Sequence, residues 1–228
     1  MKASSLILAV IVIVSTAAAD PIVQKQLFSG TSGFSQTVSF DKFNLTGSLT
    51  SVEITFNLQI TGGSLILDND SDSNICGTLE FGSLGSISSS EVNLPASSLT
   101  NHVFYSQPFS LDANDLNDNK AYYDPTPPDG MQYNGDNKSG NVQGLVDTMV
   151  WDTYIGTGKY DITVSILPWI DCGNFDNLQY CVVTPINTNG YIEVVYNYIP
   201  EPTTITLLAI SALSFLTRKN RYTEQSVP

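Results

Sequence analysis

The stretch that decides the fold is SVEITFNLQI, residues 51–60, in which apolar and polar side chains alternate without a break. The even-numbered residues from Val52 to Ile60 are all apolar, and the odd-numbered residues from Ser51 to Gln59 are all polar. Successive side chains of a β-strand point to opposite faces, so this pattern predicts a strand with one buried face.

The same alternation recurs along the chain between residues 20 and 199. It is found in SQTVSFDKF (35–43), HVFYSQPFSL (102–111), KYDITVSIL (159–167) and YIEVVYNYI (191–199). Clusters of Gly, Asn, Asp and Pro separate these stretches and indicate turns. The sequence therefore predicts an all-β fold, an antiparallel β-sandwich of the jelly-roll type. The polar stretch Asp112–Gly144 is long for a connection, and we expect either a surface excursion that carries function or a loosely ordered loop.

The chain is strongly acidic, with a formal net charge of −13 at pH 7. Between Asp20 and Ile199 five lysines face twenty acidic residues. Such a surface repels nucleic-acid phosphates, so we expect no nucleic-acid partner. Charged residues make up 14% of the chain, and Ser, Thr, Asn and Gly supply the rest of its polar surface, as is common in exported β-proteins.

The N-terminus has the order of a secretory signal peptide. Lys2 supplies a positive charge, Leu6–Val14 is an apolar run, and Ala17-Ala18-Ala19 offers the small residues that signal peptidase reads. The alternative is an N-terminal membrane anchor, but the run is too short to span a bilayer. We expect signal peptidase to remove residues 1–19, a signal-peptide helix, and to leave Asp20 as the first residue of an exported chain.

The C-terminal segment combines a Pro-Glu-Pro motif, an apolar run and a basic cluster. The motif is Pro200-Glu201-Pro202, the uncharged run is Thr203–Thr217, and the basic residues are Arg218, Lys219 and Arg221. As a helix the run covers about 22 Å, against a hydrocarbon core of roughly 30 Å. It is a marginal membrane span, and the basic cluster would keep residues 20–199 outside. A buried core helix is the alternative, but the run has no polar face.

This order of features resembles the PEP-CTERM sorting signal of Gram-negative bacteria. The resemblance covers residues 200–221 and implies that exosortase, a multi-pass membrane enzyme, processes the chain near the Pro-Glu-Pro motif. It also implies export and an association with exopolysaccharide or biofilm matrix. The chain departs from the pattern in two respects: Asn220 interrupts the basic cluster, and a polar tail, residues 222–228, follows it.

Residues 28–69 resemble the opening of the choice-of-anchor E domain. The features that carry the resemblance are a short strand ending on Phe (Val38–Phe43), a glycine-containing turn before Leu49–Val52, and the long alternating strand after it. The ending GYIEVVYNYIP resembles the strand that precedes the anchor in this family. The resemblance extends over residues 23–199 and implies a β-domain with a surface anchor. The family has no established activity, so the resemblance assigns no catalytic residues to this chain.

Asp68, Asp70 and Asp72 occupy alternate positions in DNDSDSN, as acidic residues do at the start of an EF-hand calcium loop. The match then fails, because the sixth position is Ser73 instead of Gly and the twelfth is Leu79 instead of Glu. Two interpretations remain: a calcium site formed by these three carboxylates, or an acidic hairpin turn between SLIL and ICGTLEF, which we favour. Calcium is the one candidate cofactor.

The three cysteines, Cys76, Cys172 and Cys181, permit one disulfide and leave one free thiol. Export to an oxidising compartment allows pairing. Cys172 and Cys181 lie nine positions apart, and we expect a bridge between them.

No catalytic motif is present: the sequence lacks GxSxG, HExxH and a Gly-rich phosphate loop. The single histidine, His102, is expected at the surface. The aromatic residues Trp151, Trp169 and the tyrosines either fill the core or form a stacking face for sugars. The candidates for such a face are Trp151 with Tyr154, and Tyr122-Tyr123. The many acidic residues leave open a carboxylate pair for glycoside hydrolysis.

These features predict four segments: a signal peptide (1–19), a β-sandwich domain (20–199), a sorting and anchor segment with an apolar helix (200–221), and a polar tail (222–228). The predicted function is that of a non-enzymatic, structural or adhesive protein of the cell envelope or extracellular matrix. The alternatives are a carbohydrate-binding module of the same matrix and, third, a polysaccharide-acting enzyme. The expected partners are signal peptidase, exosortase, the membrane and exopolysaccharide.

Overall fold

The computed structural model describes residues 19–115, 123–175 and 177–201. The predicted signal-peptide helix and apolar C-terminal helix lie outside these residues. So do the predicted site residues Ala17, Pro202, Arg218, Lys219 and Arg221. In the part of the chain that is described, no helix has the length and apolar character needed to cross a membrane.

The described residues form eleven β-strands and two short 3-10 helices. In chain order the strands are β1 (Ile22–Thr31), β2 (Phe34–Asp41), β3 (Gly47–Thr61), β4 (Ser64–Asn69), β5 (Ile75–Ser88), β6 (Thr100–Leu111), β7 (Gly130–Asn134), β8 (Asn137–Leu145), β9 (Lys159–Asp171), β10 (Leu178–Thr184) and β11 (Asn187–Pro200). The 3-10 helices are Ala96–Ser98 and Thr148–Tyr154. The prediction of an all-β fold is confirmed.

Two four-stranded sheets form a sandwich. The first sheet has the order β1-β11-β3-β8 and the second has the order β2-β9-β5-β6. The strand pairs β1–β11, β3–β8, β2–β9, β5–β9 and β5–β6 are all antiparallel. The two sheets pack face to face, since a Cβ placed on Gly85 of β5 would lie 2.7 Å from the ring of Phe56 on β3.

The core consists of the apolar faces that the sequence pattern predicts. On β3 every even-numbered residue from Val52 to Ile60 has no exposed surface. The alternate residues of β9 from Tyr160 to Ile166 are at most 1% exposed, and those of β11 from Ile192 to Tyr196 are fully buried. Burying one such aliphatic or aromatic side chain stabilises the fold by about 1.5–3 kcal/mol.

A third, three-stranded sheet has the order β10-β4-β7. It corrects two expectations. The acidic stretch after β4 is not a hairpin turn, because β4 pairs with β10 and β7 whereas β5 belongs to the second sheet. The stretch Asp112–Gly144 is not one loop either, because it contains β7 and most of β8. β7 is held by pairing with β4 and β8 by pairing with β3, and both partners are distant in sequence.

The chain divides into two compact units. The larger unit comprises Ile22–Asn44 and Ser51–Tyr196, and it contains the core described above. The described part of the smaller unit comprises residues 19–21, 45–50 and 197–201. Within it, Gly47 has a φ of +150°, and a Cβ there would lie 2.6 Å from the carbonyl oxygen of Ile199.

Candidate functional site

Three aromatic side chains meet on the outward face of the second sheet: Trp169 of β9 and His102 and Phe104 of β6. We call them the aromatic platform. On β6 the alternate residues Val103 and Tyr105 are buried. His102 is exposed and Phe104 is half-buried, so the platform lies on the face directed away from the core. The surface position expected for His102 is confirmed.

A glycine lies on β5, the strand between the two strands that carry the platform. Gly82 of β5 is the cross-strand partner of both Trp169 and Phe104. Gly82 has no side chain, and the His102 ring contacts both other rings, at 4.5 Å from the Trp169 ring and 4.4 Å from the Phe104 ring, centroid to centroid. A Cβ on Gly82 would overlap the carbonyl oxygen of Val103. The register of β5 therefore allows the three rings to pack against one another on the outward face, with interplanar angles of 75° between His102 and Trp169 and 37° between His102 and Phe104.

Charged groups border the aromatic platform. The indole Nε1–H of Trp169 donates a hydrogen bond of 3.1 Å to Oε2 of Glu80, which fixes the orientation of the indole. The ammonium of Lys138 on β8 lies 5.4 Å from the centroid of the Phe104 ring, within the range of a cation–π interaction. The platform is thus an apolar surface with a hydrogen-bond acceptor beside one ring and a donor beside another.

The sequence-predicted stacking pair, Trp151 and Tyr154, does not form a sugar-binding face. Tyr154 is completely buried, its hydroxyl donates a hydrogen bond of 2.7 Å to the carbonyl of Asn93, and its ring packs edge-on against Tyr160. Burial raises the pKa of Tyr154 well above its usual value. Trp151 is half-buried and its Nε1–H donates to the carbonyl of Val146. The prediction was wrong for Tyr154 because this ring belongs to the core.

The three aspartates of the predicted calcium site point into different surroundings. Asp68 is 2% exposed and its Oδ2 accepts a hydrogen bond of 2.9 Å from the backbone N–H of Asp124. The carboxylate of Asp70 accepts hydrogen bonds from the side-chain amides of Asn114 and Gln179. Asp72 is exposed. Within the described ranges no group of three metal-ligating side chains converges, and the calcium site stays a prediction.

All three cysteine thiols are free in the structure. Cys76 on β5 is exposed, Cys181 on β10 is half-buried, and Cys172, which follows β9, is buried. Burial is the main reason that the pKa of the Cys172 thiol is raised, and the neighbouring Asp171 carboxylate adds to it. The bridge between Cys172 and Cys181 is not formed here and stays a prediction for the exported protein.

Four residues of the predicted processing sites are described. Ala19 is half-buried and Asp20 is exposed, immediately before β1. Pro200 is the last residue of β11, and Glu201, the next residue, is exposed. The first residue of the Pro-Glu-Pro motif therefore coincides with the end of the last strand.

No known protein family matches this chain, and no characterised protein has a similar sequence. Among solved structures, a chain from the structure of the infectious bursal disease virus Gx strain is 12% identical in sequence to this chain, with a TM-score of 0.20. The match covers 82% of this chain and 43% of that chain. The VP2 subviral particle of infectious bursal disease virus is 11% identical, with a TM-score of 0.12, over 89% of this chain and 50% of that chain. This chain thus spans half the length of those chains or less, and similarity at this level supports no functional argument.

Proposed function

We propose that the chain is an exported surface protein, a jelly-roll sandwich that is sorted by a C-terminal PEP-CTERM signal. One observation carries the proposal: β11, the last strand among the described residues, ends at Pro200, the first residue of the Pro200-Glu201-Pro202 motif. The β-structure and the proposed signal therefore adjoin without a linker. Glu201 is exposed, as a residue read by a processing enzyme needs to be.

The order of the strands supports a jelly roll. Along the chain, β1, β3, β8 and β11 belong to the first sheet, and β2, β5, β6 and β9 belong to the second. Most connections therefore cross from one sheet to the other, as they do in an eight-stranded jelly roll. The remaining strands, β4, β7 and β10, lie in three of the connections.

The outward face of the second sheet favours a structural or adhesive role over catalysis. Cross-strand pairs of hydroxyl side chains link β2 and β9: the side-chain oxygens of Thr37 and Thr163 lie 3.1 Å apart, and those of Ser35 and Ser165 lie 3.3 Å apart. Hydroxyl side chains keep a strand surface hydrated without adding charge. We propose that the protein works in the hydrated exopolysaccharide of a Gram-negative cell envelope or matrix, and that it acts through its surface.

The proposal also assigns the processing partners. Signal peptidase would cleave before Asp20, and exosortase would act near Pro200-Glu201-Pro202 while the following apolar segment holds the chain in the membrane. The hydrogen-bonded pairing of β11 with β1 runs from Thr31–Asn187 to Ile22–Tyr196. Four residues separate Tyr196, the last residue of β11 that pairs with β1, from Glu201, so cleavage near the motif would leave this pairing intact.

The Pro-Glu-Pro motif can be tested by expressing the full chain in a Gram-negative host with and without an exosortase. We expect the wild-type chain to be shortened at its C-terminus only in the host that has the exosortase. Glu201→Ala should leave the longer form in both hosts. The matched control is Asp152→Ala, which removes an exposed carboxylate elsewhere and should be processed normally. Normal processing of Glu201→Ala would contradict the proposal.

A further inference from the structure

We propose that the aromatic platform of Trp169, His102 and Phe104 is a binding site for a neutral polysaccharide. The proposal goes beyond the proposed function, because it rests on the outward face of the second sheet and needs neither export nor the C-terminal signal. It also differs from the stacking pair predicted from the sequence, since it uses neither Trp151 nor Tyr154.

The dimensions of the platform fit a short stretch of a sugar chain. Trp169, Gly82 and Phe104 form one line across three neighbouring strands. Strands lie about 4.8 Å apart, which places the backbones at Trp169 and Phe104 about 10 Å from each other. Both rings lean toward His102, whose ring centroid lies 4.5 Å from that of Trp169 and 4.4 Å from that of Phe104, so the rings span less than this backbone distance. A surface of this size accommodates one to two linked pyranose rings. A ring lying on an aromatic side chain buries its C–H groups and leaves its hydroxyls directed outward.

The three rings alone offer less area than a protein partner needs. A fully buried aromatic side chain covers roughly 150–250 Å², and Trp169 and Phe104 are already half-buried against their own sheet. The area that these three rings leave for a ligand is therefore well below the roughly 800 Å² that each partner of a stable protein complex contributes. A sugar chain needs less, because each residue binds through one ring face and a few hydrogen bonds.

The charges around the platform favour a neutral, hydroxyl-rich ligand. Glu80 beside Trp169 is an acceptor, whereas Lys138 beside Phe104 is a donor. A sugar hydroxyl can donate to the first and accept from the second. An anionic polysaccharide would meet the Glu80 carboxylate and a chain with a net charge of −13.

The rings of the platform are held in place before a ligand arrives. The Trp169 indole is fixed on one side by its hydrogen bond to Glu80 and on the other by the edge-on His102 ring, at an interplanar angle of 75°. The Phe104 ring contacts His102 and lies within reach of the Lys138 ammonium. Because these side chains are already ordered, binding costs little additional conformational entropy.

The test is titration of the full chain with neutral hexasaccharides, namely cellohexaose, xylohexaose and mannohexaose, by calorimetry and tryptophan fluorescence. We expect at least one of them to bind and to change the emission of Trp169. Hexagalacturonate, the anionic comparison, should bind at least tenfold more weakly. No binding of any neutral hexasaccharide at millimolar concentrations would overturn the proposal.

Substitutions in the aromatic platform test whether the sugar binds there, by the same titrations. Trp169→Ala should abolish binding, and His102→Ala, which removes an exposed ring, should weaken it by about tenfold or more. Trp151→Phe is the matched control, because it alters the other tryptophan, and should bind like the wild type. Retained affinity in both Trp169→Ala and His102→Ala would overturn the proposal. So would concentration-dependent dimerisation that His102→Ala removes, since the occupant would then be a second copy of the chain.

Discussion

The hydroxyl oxygens of Tyr160 and Tyr196 lie 2.9 Å apart inside the sandwich and join its two sheets. Tyr160 belongs to β9 of the second sheet and Tyr196 to β11 of the first. The Tyr196 hydroxyl also donates a hydrogen bond of 3.1 Å to the carbonyl of Asp41. Because a phenol has one proton, Tyr160 must be the donor to Tyr196. The three groups form a directional chain from Tyr160 through Tyr196 to Asp41.

The direction of this chain predicts that the two tyrosines contribute unequally to stability. Tyr196→Phe leaves the buried O–H of Tyr160 without its acceptor, and we expect a loss of about 2–3 kcal/mol in the free energy of unfolding. Tyr160→Phe leaves Tyr196 able to donate to Asp41 and should cost about 1 kcal/mol. Urea unfolding measures both. Tyr180→Phe, at a side chain 46% exposed, is the control. Equal losses would contradict the assigned direction.

Buried tyrosines also predict a loss of stability in alkali. Burial raises the pKa of Tyr196 to about 12, and it raises the pKa of Tyr160 and Tyr154 as well. The unfolded chain ionises at about pH 10. Below that pH the stabilisation is complete, and it falls as the pH rises from about 10 through the folded pKa, because the unfolded state then binds fewer protons.

For Tyr196 this loss amounts to on the order of 2 kcal/mol. Urea unfolding followed from about pH 8 to about pH 12 measures it. Tyr196→Phe should reduce the slope above pH 10. A slope that is identical in wild type and Tyr196→Phe would show that this tyrosine ionises as freely in the folded state as in the unfolded state.

The close approach of β11 and β3 predicts that Gly190 accepts no side chain. A Cβ on Gly190 would overlap the carbonyl oxygen of Asn57 on β3, which belongs to the backbone and cannot rotate away. We expect Gly190→Ala to lower the free energy of unfolding by about 1–3 kcal/mol. Asn189→Ala, at the neighbouring exposed position, should change it by less than about 0.5 kcal/mol. Equal stability of the two variants would contradict the placement of these strands.

The three thiols should differ in reactivity in the reduced, folded protein. Cys76 is exposed, whereas Cys172 is buried and has a raised pKa, so it offers a reagent less access and less thiolate. We expect iodoacetamide to modify Cys76 first and Cys172 last, as followed by peptide mass spectrometry. In urea the difference should disappear. Modification of Cys172 as fast as Cys76 in the folded protein would contradict its burial.

The sequence was sufficient to predict the strands whose side chains divide cleanly between core and solvent. From Val52 to Ile60 in β3, from Tyr160 to Ile166 in β9 and from Ile192 to Tyr198 in β11, every second residue is apolar because each strand lies with one face on the core. In β8, by contrast, Asn137–Leu145 contains two apolar side chains, Val142 and Leu145, and the latter is 66% exposed. This segment is a strand because β3 pairs with it along Glu53–Thr61. Its own sequence contains no such information.

The candidate site was harder to predict from the sequence than the strands, because it is formed by residues that are distant in sequence. The sequence analysis included Trp169 among the aromatic residues that could stack on a sugar. Its neighbours His102 and Phe104 belong to a strand more than sixty residues earlier, so the sequence did not associate them with it. The register that aligns Trp169, Gly82 and Phe104 follows from two separate strand pairings. Tyr154 and Trp151 are close in sequence but do not form a common face. The Tyr154 hydroxyl donates a hydrogen bond to the backbone carbonyl of Asn93, and its ring lies in the core.

The central claim, that this β-sandwich is exported and processed at both ends, is tested most directly by the intact mass of the native protein recovered from its source cells. The account predicts a chain that begins at Asp20 and ends near Pro200, with or without attached glycan. A mass that includes residues 1–19 would contradict export through a cleaved signal peptide. A mass that retains residues 203–228 would contradict processing at the Pro-Glu-Pro motif and would identify the C-terminal segment as a lasting anchor.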